Sequence, residues 1–285
     1  MTAAPLILNL APTGMVPMLR DNASLPITPE AIAADAAACR ALGASIVHLH
    51  AREDDGMPTW RPEVYGAVIA AVREQAPDLV VCVSTSGRTF GAFDQRAAVL
   101  DLDGAVKPDM ASLTLGSMNF PTQASVNEPA MIEALAARMQ ERGIVPELEV
   151  FDLGMLDFAR YLIERRILRP PFYVNILLGS RGTLAATPLN LALMAQALPA
   201  GATWAGAGIG RFQFPVNAMS ITMGGHVRVG LEDNLHMDAA KSQPASNRAL
   251  VERLVRLGRA AGREPATPDQ ARAIIGLPAR QGLGA

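Results

Sequence analysis

Eight strand–helix units in 285 residues predict a (β/α)8 TIM barrel, a single domain over 1–285 with a short extra helix near its C-terminus. Three observations carry this. Short apolar runs recur eight times, several of them apolar on both faces as buried parallel strands are. Helical patterns fall between them, with start and stop residues in place. No Gly-rich phosphate loop follows an early run, as a doubly wound open sheet, the competing architecture, would usually require.

The first run, LILNLA (6–11), leads to the helical pattern TPEAIAADAAACRALG (28–43). There Thr28 is the N-cap, Pro29 takes the first helical position and Gly43 stops the helix. SIVHLHA (45–51) leads to RPEVYGAVIAAVREQ (61–75), and LVVCVST (79–85) to a weaker pattern over 92–102. MASLTLG (110–116) leads to NEPAMIEALAARMQERG (127–143), again with a Gly end. VPELEVF (145–151) precedes a weaker helix over 155–167, and FYVNILLG (172–179) precedes TPLNLALMAQALP (187–199). TWAGAGIG (203–210) is followed by a weaker pattern over 212–224, and HVRVGLE (226–232) by KSQPASNRALVERLVRLGRAAG (241–262). TPDQARAIIG (267–276) is the extra helix. The glycines of GAGIG lie after the seventh run and do not fit the dinucleotide fingerprint GxGxxG.

Composition narrows the function. Half of the residues are hydrophobic (50%) and 18% are charged, enough apolar matter for one large core. The net charge is −2 with scattered basic residues, which argues against nucleic acid and an anionic membrane surface. Cys39 and Cys82 form no CxxC and read as buried thiols of a reducing compartment. The stretch MTAAPLILNLAPTG lacks a basic n-region, and no apolar run reaches transmembrane length, so the expected location is cytoplasmic.

In such a barrel the chemistry sits at the C-terminal ends of the strands. His48 and His50, half of the four histidines, share one face at the end of the second run. A pair of neutral imidazoles there suits Zn²⁺ or a related ion, with Glu232 at the end of the eighth run as third ligand and a position left open for substrate. The plainer reading is two hydrogen-bonded polar residues at a strand end. His226 begins the eighth run and belongs at the barrel bottom, in a structural role. Glu147 and Glu149 share a face and need partners if buried; Glu149, nearer the mouth, is the functional candidate of the two. Arg228 and Asp233 flank Glu232, either as a salt bridge or as a base held ionised by a neighbouring cation. Ser84 to Gly87, STSG, offer hydroxyls and amides suited to a carboxylate or an oxyanion.

The stretches ASIVHLHAREDDGMPT, VSTSGR, MASLTLGSMNF, PELEVFDLGML and MGGHVRVGLEDN together resemble the β-keto acid cleavage enzymes, whose founding type is the 3-keto-5-aminohexanoate cleavage enzyme. The resemblance runs from about residue 5 to 275. It implies a zinc-dependent TIM barrel, usually a homotetramer, that takes a β-keto acid and acetyl-CoA to acetoacetate and a new acyl-CoA. His48, His50 and Glu232 match the zinc ligands, and Ser84, Gly87 and Ser112 match substrate-contacting positions. Arg228 and Asp233 match the pair implicated in generating the carbanion. One departure stands out. The amino-acid-cleaving type reads TGAE after its first strand, where its Glu meets the substrate ammonium; this chain reads TGMV, with Val16 in that place. A buried ammonium without a carboxylate is unfavourable, so a neutral, apolar-tailed β-keto acid is expected. Arg20 or Arg88 offers the alternative of a second substrate carboxylate. Two rival readings are another metal-dependent barrel, such as an amidohydrolase, which needs more strand-end histidines than this chain supplies, and a non-catalytic CoA- or metal-binding barrel.

Overall fold

The computed structural model describes residues 4–279; residues 1–3, the beginning of the N-terminal stretch read above, and 280–285 lie outside the described residues. Among the described residues, eight parallel strands close a barrel. In chain order these are β1 (Leu8–Leu10), β2 (Ile46–Leu49), β3 (Val80–Val83), β4 (Met110–Thr114), then β7 (Val145–Val150), β8 (Tyr173–Leu178), β9 (Thr203–Gly208) and β10 (His226–Val229). Each pairs with its neighbour in sequence, and β10 closes on β1 through Leu8↔Val227 and Leu10↔Val229. The two remaining strands, β5 (Met118–Asn119) and β6 (Ala124–Ser125), form an antiparallel hairpin outside the barrel. Each of the eight apolar runs therefore contains a barrel strand.

The helices are α1 (Pro29–Leu42), α2 (Pro62–Gln75), α3 (Phe93–Ala97), α4 (Pro129–Arg142), α5 (Leu153–Glu164), α6 (Pro188–Gln196), α7 (Gln213–Thr222), α8 (Asn247–Ala260) and α9 (Pro268–Ile275). The caps are those the sequence specified: Thr28 Oγ1 accepts from Ala31 N, and Gly43 ends α1 at φ 126°. Thr267 and Gln270 form a reciprocal capping box on α9. The two glycines of GAGIG that lie in β9 serve packing instead of a phosphate: a Cβ on Gly206 would stand 1.9 Å from Ser220 Oγ, so only glycine lets α7 lie this close to β9.

Two expectations shift, and one element is new. The helix expected over 241–262 starts only at Asn247, because the Asp238 carboxylate takes the amides of Ser242 and Gln243 and Ser246 caps α8 through Ala249 N. The segment 241–246 is thereby left as loop at the barrel mouth. The weak pattern over 92–102 is one short helix that tightens into a 3-10 turn at Ala98–Asp101. The β5–β6 hairpin had no sequence signal, since two residues per strand are too few to alternate.

The two ends of the barrel differ. At the bottom, Ile7, Ile46, Val80, Cys82 and Met110 pack with Ala271, Ile275 and Leu277, so α9 plugs the end remote from the mouth. Arg272 on α9 pairs with Asp109 at 2.8 Å. Both cysteines are buried and free. Among the described residues no helix is long and apolar enough to cross a membrane.

His226 lies at the bottom, as expected of a structural histidine. Its Nδ1 accepts from the Ile7 amide at 3.0 Å, and Arg263 lies beside it. Burial, helped by the Arg263 charge, lowers its pKa to about 4. The neutral ring is thus the folded form, and its stabilisation is present above the ordinary histidine range and lost as pH falls from about 6.5 toward 4. The loss is expected to reach about 2 kcal/mol by pH 5. His226→Asn keeps an acceptor without the titration. Its urea stability should therefore fall less between pH 7 and pH 5 than that of the wild type; parallel losses would contradict this role.

Candidate active site

The alternation of β2 turns His48 and His50 inward, and the strand ends at the mouth just where both reach the cavity. Their Nε2 atoms are 3.3 Å apart. Glu232, in the loop after β10, brings Oε1 to 3.3 Å from His50 Nε2 and Oε2 to 4.0 Å from His48 Nε2. Three side chains distant in sequence thus offer one donor atom each within a single metal-sized cluster. Glu232 Oε2 is buried without a hydrogen-bond partner among the described residues.

Backbone packing fixes this geometry. Gly14, after β1, runs so close to Glu232 that a Cβ would lie 2.6 Å from its Cγ, at φ +68°. Asn247 Oδ1 accepts from Leu231 N, and its Nδ2 donates to Pro12 O, which ties the Glu232 loop to the loop after β1. Gln213 and Asn217 of α7 donate to the carbonyls of Gly230 and Arg228.

His48 is held from behind. Its Nδ1 lies 2.6 Å from Glu147 Oε2, and Asn9 Nδ2 donates to the other oxygen of Glu147 at 2.6 Å. Glu147 is wholly buried, so its carboxylate needs these partners. A proton kept on Nδ1 leaves the Nε2 lone pair facing the cavity. Burial disfavours the His48 imidazolium, but the Glu147 carboxylate outweighs it and raises the pKa; burial prevails at His50 and lowers it.

Arg228 is the centre of a second network. It is 1% exposed, and its guanidinium meets Asp233 (Nε, 3.0 Å), Glu232 (Nη2, 2.7 Å) and Glu149 (Nη1, 2.9 Å), with Glu147 at 3.9 Å. Thr114, opposite Glu149 in the β4–β7 register, donates to its other oxygen at 2.7 Å. Burial opposes ionisation of Glu232, yet Arg228 and the two imidazoles hold its carboxyl well below the usual range. At Asp233 burial and the Glu232 charge outweigh Arg228, and the pKa is raised. One carboxylate is therefore firmly ionised and its neighbour is a readier proton acceptor.

These groups open on a cavity of about 500 Å³. Of the residues singled out in the sequence, His48, His50, Ser84, Glu149, Arg228, Glu232, Asp233 and Val16 line it. Gly87 and Ser112 do not. Ser112 Oγ accepts from Thr85 N and so holds the STSG loop, and Gly87 lies against Arg96, whose Nε donates to Thr85 O. Arg20 is exposed away from the cavity, whereas Arg88 lines it. Sequence reasoning required partners for a buried Glu147 without naming them; one is His48, three strands away, which no local spacing reveals. It also gave no role to Arg52, which donates to the carbonyls of Gly14, Pro17 and Gly56 and fixes the loop that carries Val16.

Comparison with known proteins decides the family. A profile of the beta-keto acid cleavage enzymes matches residues 5–277. The chain belongs to this family. By that membership it is an acyltransferase. It is 40% identical over 273 residues to the 3-keto-5-aminohexanoate cleavage enzyme of Fusobacterium nucleatum, covering 95% of this chain and 98% of that protein. It is 39% identical over 280 residues to the 3-oxoadipate:acetyl-CoA acetyltransferase of Cupriavidus necator, covering 97% and 96%. The fold is shared with the apo structure of ObcA, at a TM-score of 0.79 and 23% identity over 89% of this chain and 66% of that one.

Removing Arg228 would leave its acids facing each other in a buried site. Arg228→Met is expected to cost about 3–5 kcal/mol in urea unfolding at neutral pH. A loss under about 1 kcal/mol would mean that the carboxylates do not depend on it.

Proposed function

We propose that this enzyme exchanges acyl groups between a β-keto acid and acetyl-CoA, releasing acetoacetate and a new acyl-CoA, with a divalent cation, zinc by family resemblance, held by His48, His50 and Glu232. The observation that carries the reading is the pairing of this donor set, including the unpartnered Glu232 Oε2, with the Arg228–Asp233 pair in one cavity. Two imidazoles and a carboxylate with an open position fit a catalytic cation. When bound, such an ion supplies Lewis acidity toward a keto oxygen and stabilises an enolate.

The protein's own groups account for the rest. Asp233 takes the proton from the carbon between the carboxylate and the ketone, and Arg228 fixes the orientation of that base. The carbanion attacks the acetyl thioester carbon and the CoA thiolate leaves. The thiolate then attacks the original keto carbon, the bond between it and the former carbanion carbon breaks, and acetoacetate departs with the proton returned from Asp233. Glu149 and Thr114 hold Arg228 from the far side. Ser84 offers a hydroxyl to the substrate carboxylate, with Ser112 and Gly87 shaping the loop that presents it.

The substrate tail is not cationic on this reading. The acids lining the cavity are Glu149, Glu232 and Asp233, and Arg228 engages all three. Val16 leaves an ammonium without a partner. At the rim, exposed Arg181 and Lys241 suit a polyanionic co-substrate such as acetyl-CoA. A cytoplasmic homotetramer is the assembly and location the family resemblance implies.

Acetoacetate release from a panel of β-keto acids should require both acetyl-CoA and the histidines, with the His48→Ala, His50→Ala double variant silent. No release from any tail class would sink the reading. Independently of turnover, Glu147→Gln should weaken divalent-cation binding ~10- to 100-fold in chelator competition, because His48 loses the partner that orients it; unchanged affinity would remove that role.

A further inference from the structure

One half-buried cation in the cavity wall has no counter-ion among the described residues. Arg88 follows β3 and is half-buried in the cavity wall. Its amide donates to Ser86 Oγ, and its carbonyl accepts from Gln123 Nε2 in the turn of the β5–β6 hairpin. Its backbone is therefore tied down at two points. Its guanidinium makes no hydrogen bond or ion pair among the described residues; it lies over Phe120, with its carbon 3.4 Å from the ring centroid. Phe120 is itself set edge-to-face against Phe151, at 5.9 Å and 87°. The arginine thus rests on a fixed aromatic platform.

This arrangement differs from the other cations. Arg228 is saturated by acids, and Arg181 and Lys241 are exposed at the rim. Burial lowers the pKa of Arg88, opposed by the charges of Glu232, Glu149 and Asp233, so it sits within the field of the reaction centre. A partly desolvated guanidinium without an anion is costly. With its face on a ring, its edge remains free to give two parallel N–H bonds to a carboxylate. Val16 and Leu235 add apolar wall suited to intervening methylenes.

We propose that Arg88, stacked on Phe120, is the binding site for a second carboxylate at the tail end of the substrate, so that the enzyme selects dicarboxylic β-keto acids over neutral and cationic ones. The proposal rests on the acyl-exchange reading above and names the substrate class of that site. Val16 then excludes the ammonium, and Arg88 chooses the anion over the alkyl tail.

The test compares 3-oxoadipate, 3-oxohexanoate and 5-amino-3-oxohexanoate on the metal-loaded full chain, in the wild type, Arg88→Gln and Arg88→Lys. The wild type should show the highest kcat/KM on 3-oxoadipate. Arg88→Gln should lower the ratio of 3-oxoadipate to 3-oxohexanoate ~10- to 100-fold, mostly through KM, and Arg88→Lys should recover part of it. A wild type that prefers 3-oxohexanoate, or an Arg88→Gln loss equal on both substrates, overturns the proposal; the equal loss would assign Arg88 to the carboxylate that all β-keto acids share, or to acetyl-CoA. If no β-keto acid is turned over, the acyl-exchange reading fails separately. Calorimetric binding without acetyl-CoA then decides Arg88. Tighter binding of 3-oxoadipate that is lost in Arg88→Gln supports the proposal, and equal binding of both acids overturns it.

Discussion

Four carboxylates converge on one buried guanidinium, and the rest of the mouth is arranged around that imbalance. Glu147, Glu149, Glu232 and Asp233 all lie within 3.9 Å of Arg228. If all are ionised, one positive charge faces four negative ones in a site largely withdrawn from water. Such a cluster persists only if further positive charge or strong hydrogen bonding is at hand. Part comes from the His48 ring against Glu147 and part from Thr114 and Asn9. A divalent ion among His48, His50 and Glu232 would supply the remainder, and its own charge would then dominate the local electrostatics.

The barrel separates holding from acting. The end remote from the mouth is apolar and plugged by α9, and its one histidine is kept neutral and bonded to backbone. At the mouth, buried arginines serve as struts whose N–H groups go to main-chain carbonyls. Arg52 braces the loop bearing Val16, and Arg96 braces the STSG loop through the Thr85 carbonyl. Buried amides from α7 and α8 do the same for the Glu232 loop. The loops at the mouth are thereby tied to the barrel by buried hydrogen bonds, which suits a site dependent on placement. Arg88 and Phe120 follow another logic: their contact leaves a charged edge free, as suits a group that meets a ligand.

Much of this was legible in the sequence because of two periodicities. Parallel strands buried on both faces stay apolar throughout, so all eight barrel strands stood out, and the alternation within β2, β7 and β10 put His48 and His50, Glu147 and Glu149, and Arg228 on inward positions. The metal-type triad and the Arg228–Asp233 pair followed from strand ends alone. What stayed hidden depends on contacts between distant strands. Glu147 reaches His48 across β4 and β3, and Ser112 turns to the Thr85 backbone instead of the cavity. The late start of α8 is decided by Asp238 capturing two amides that a helical pattern assigns elsewhere. The contrast between Arg20 and Arg88, equal candidates by sequence, is made by burial and by a hairpin too short to leave a pattern.

The central claim is that the acid-rich mouth is completed by a divalent cation on His48, His50 and Glu232. Metal analysis of the purified full-length protein, paired with X-ray absorption at the edge of the metal found, tests it most directly. The account predicts one divalent ion per chain in a shell of two imidazole nitrogens and carboxylate oxygen, lost in Glu232→Gln. A folded protein that releases acetoacetate with far less than one ion per chain, or an ion that Glu232→Gln retains with the same shell, would contradict it.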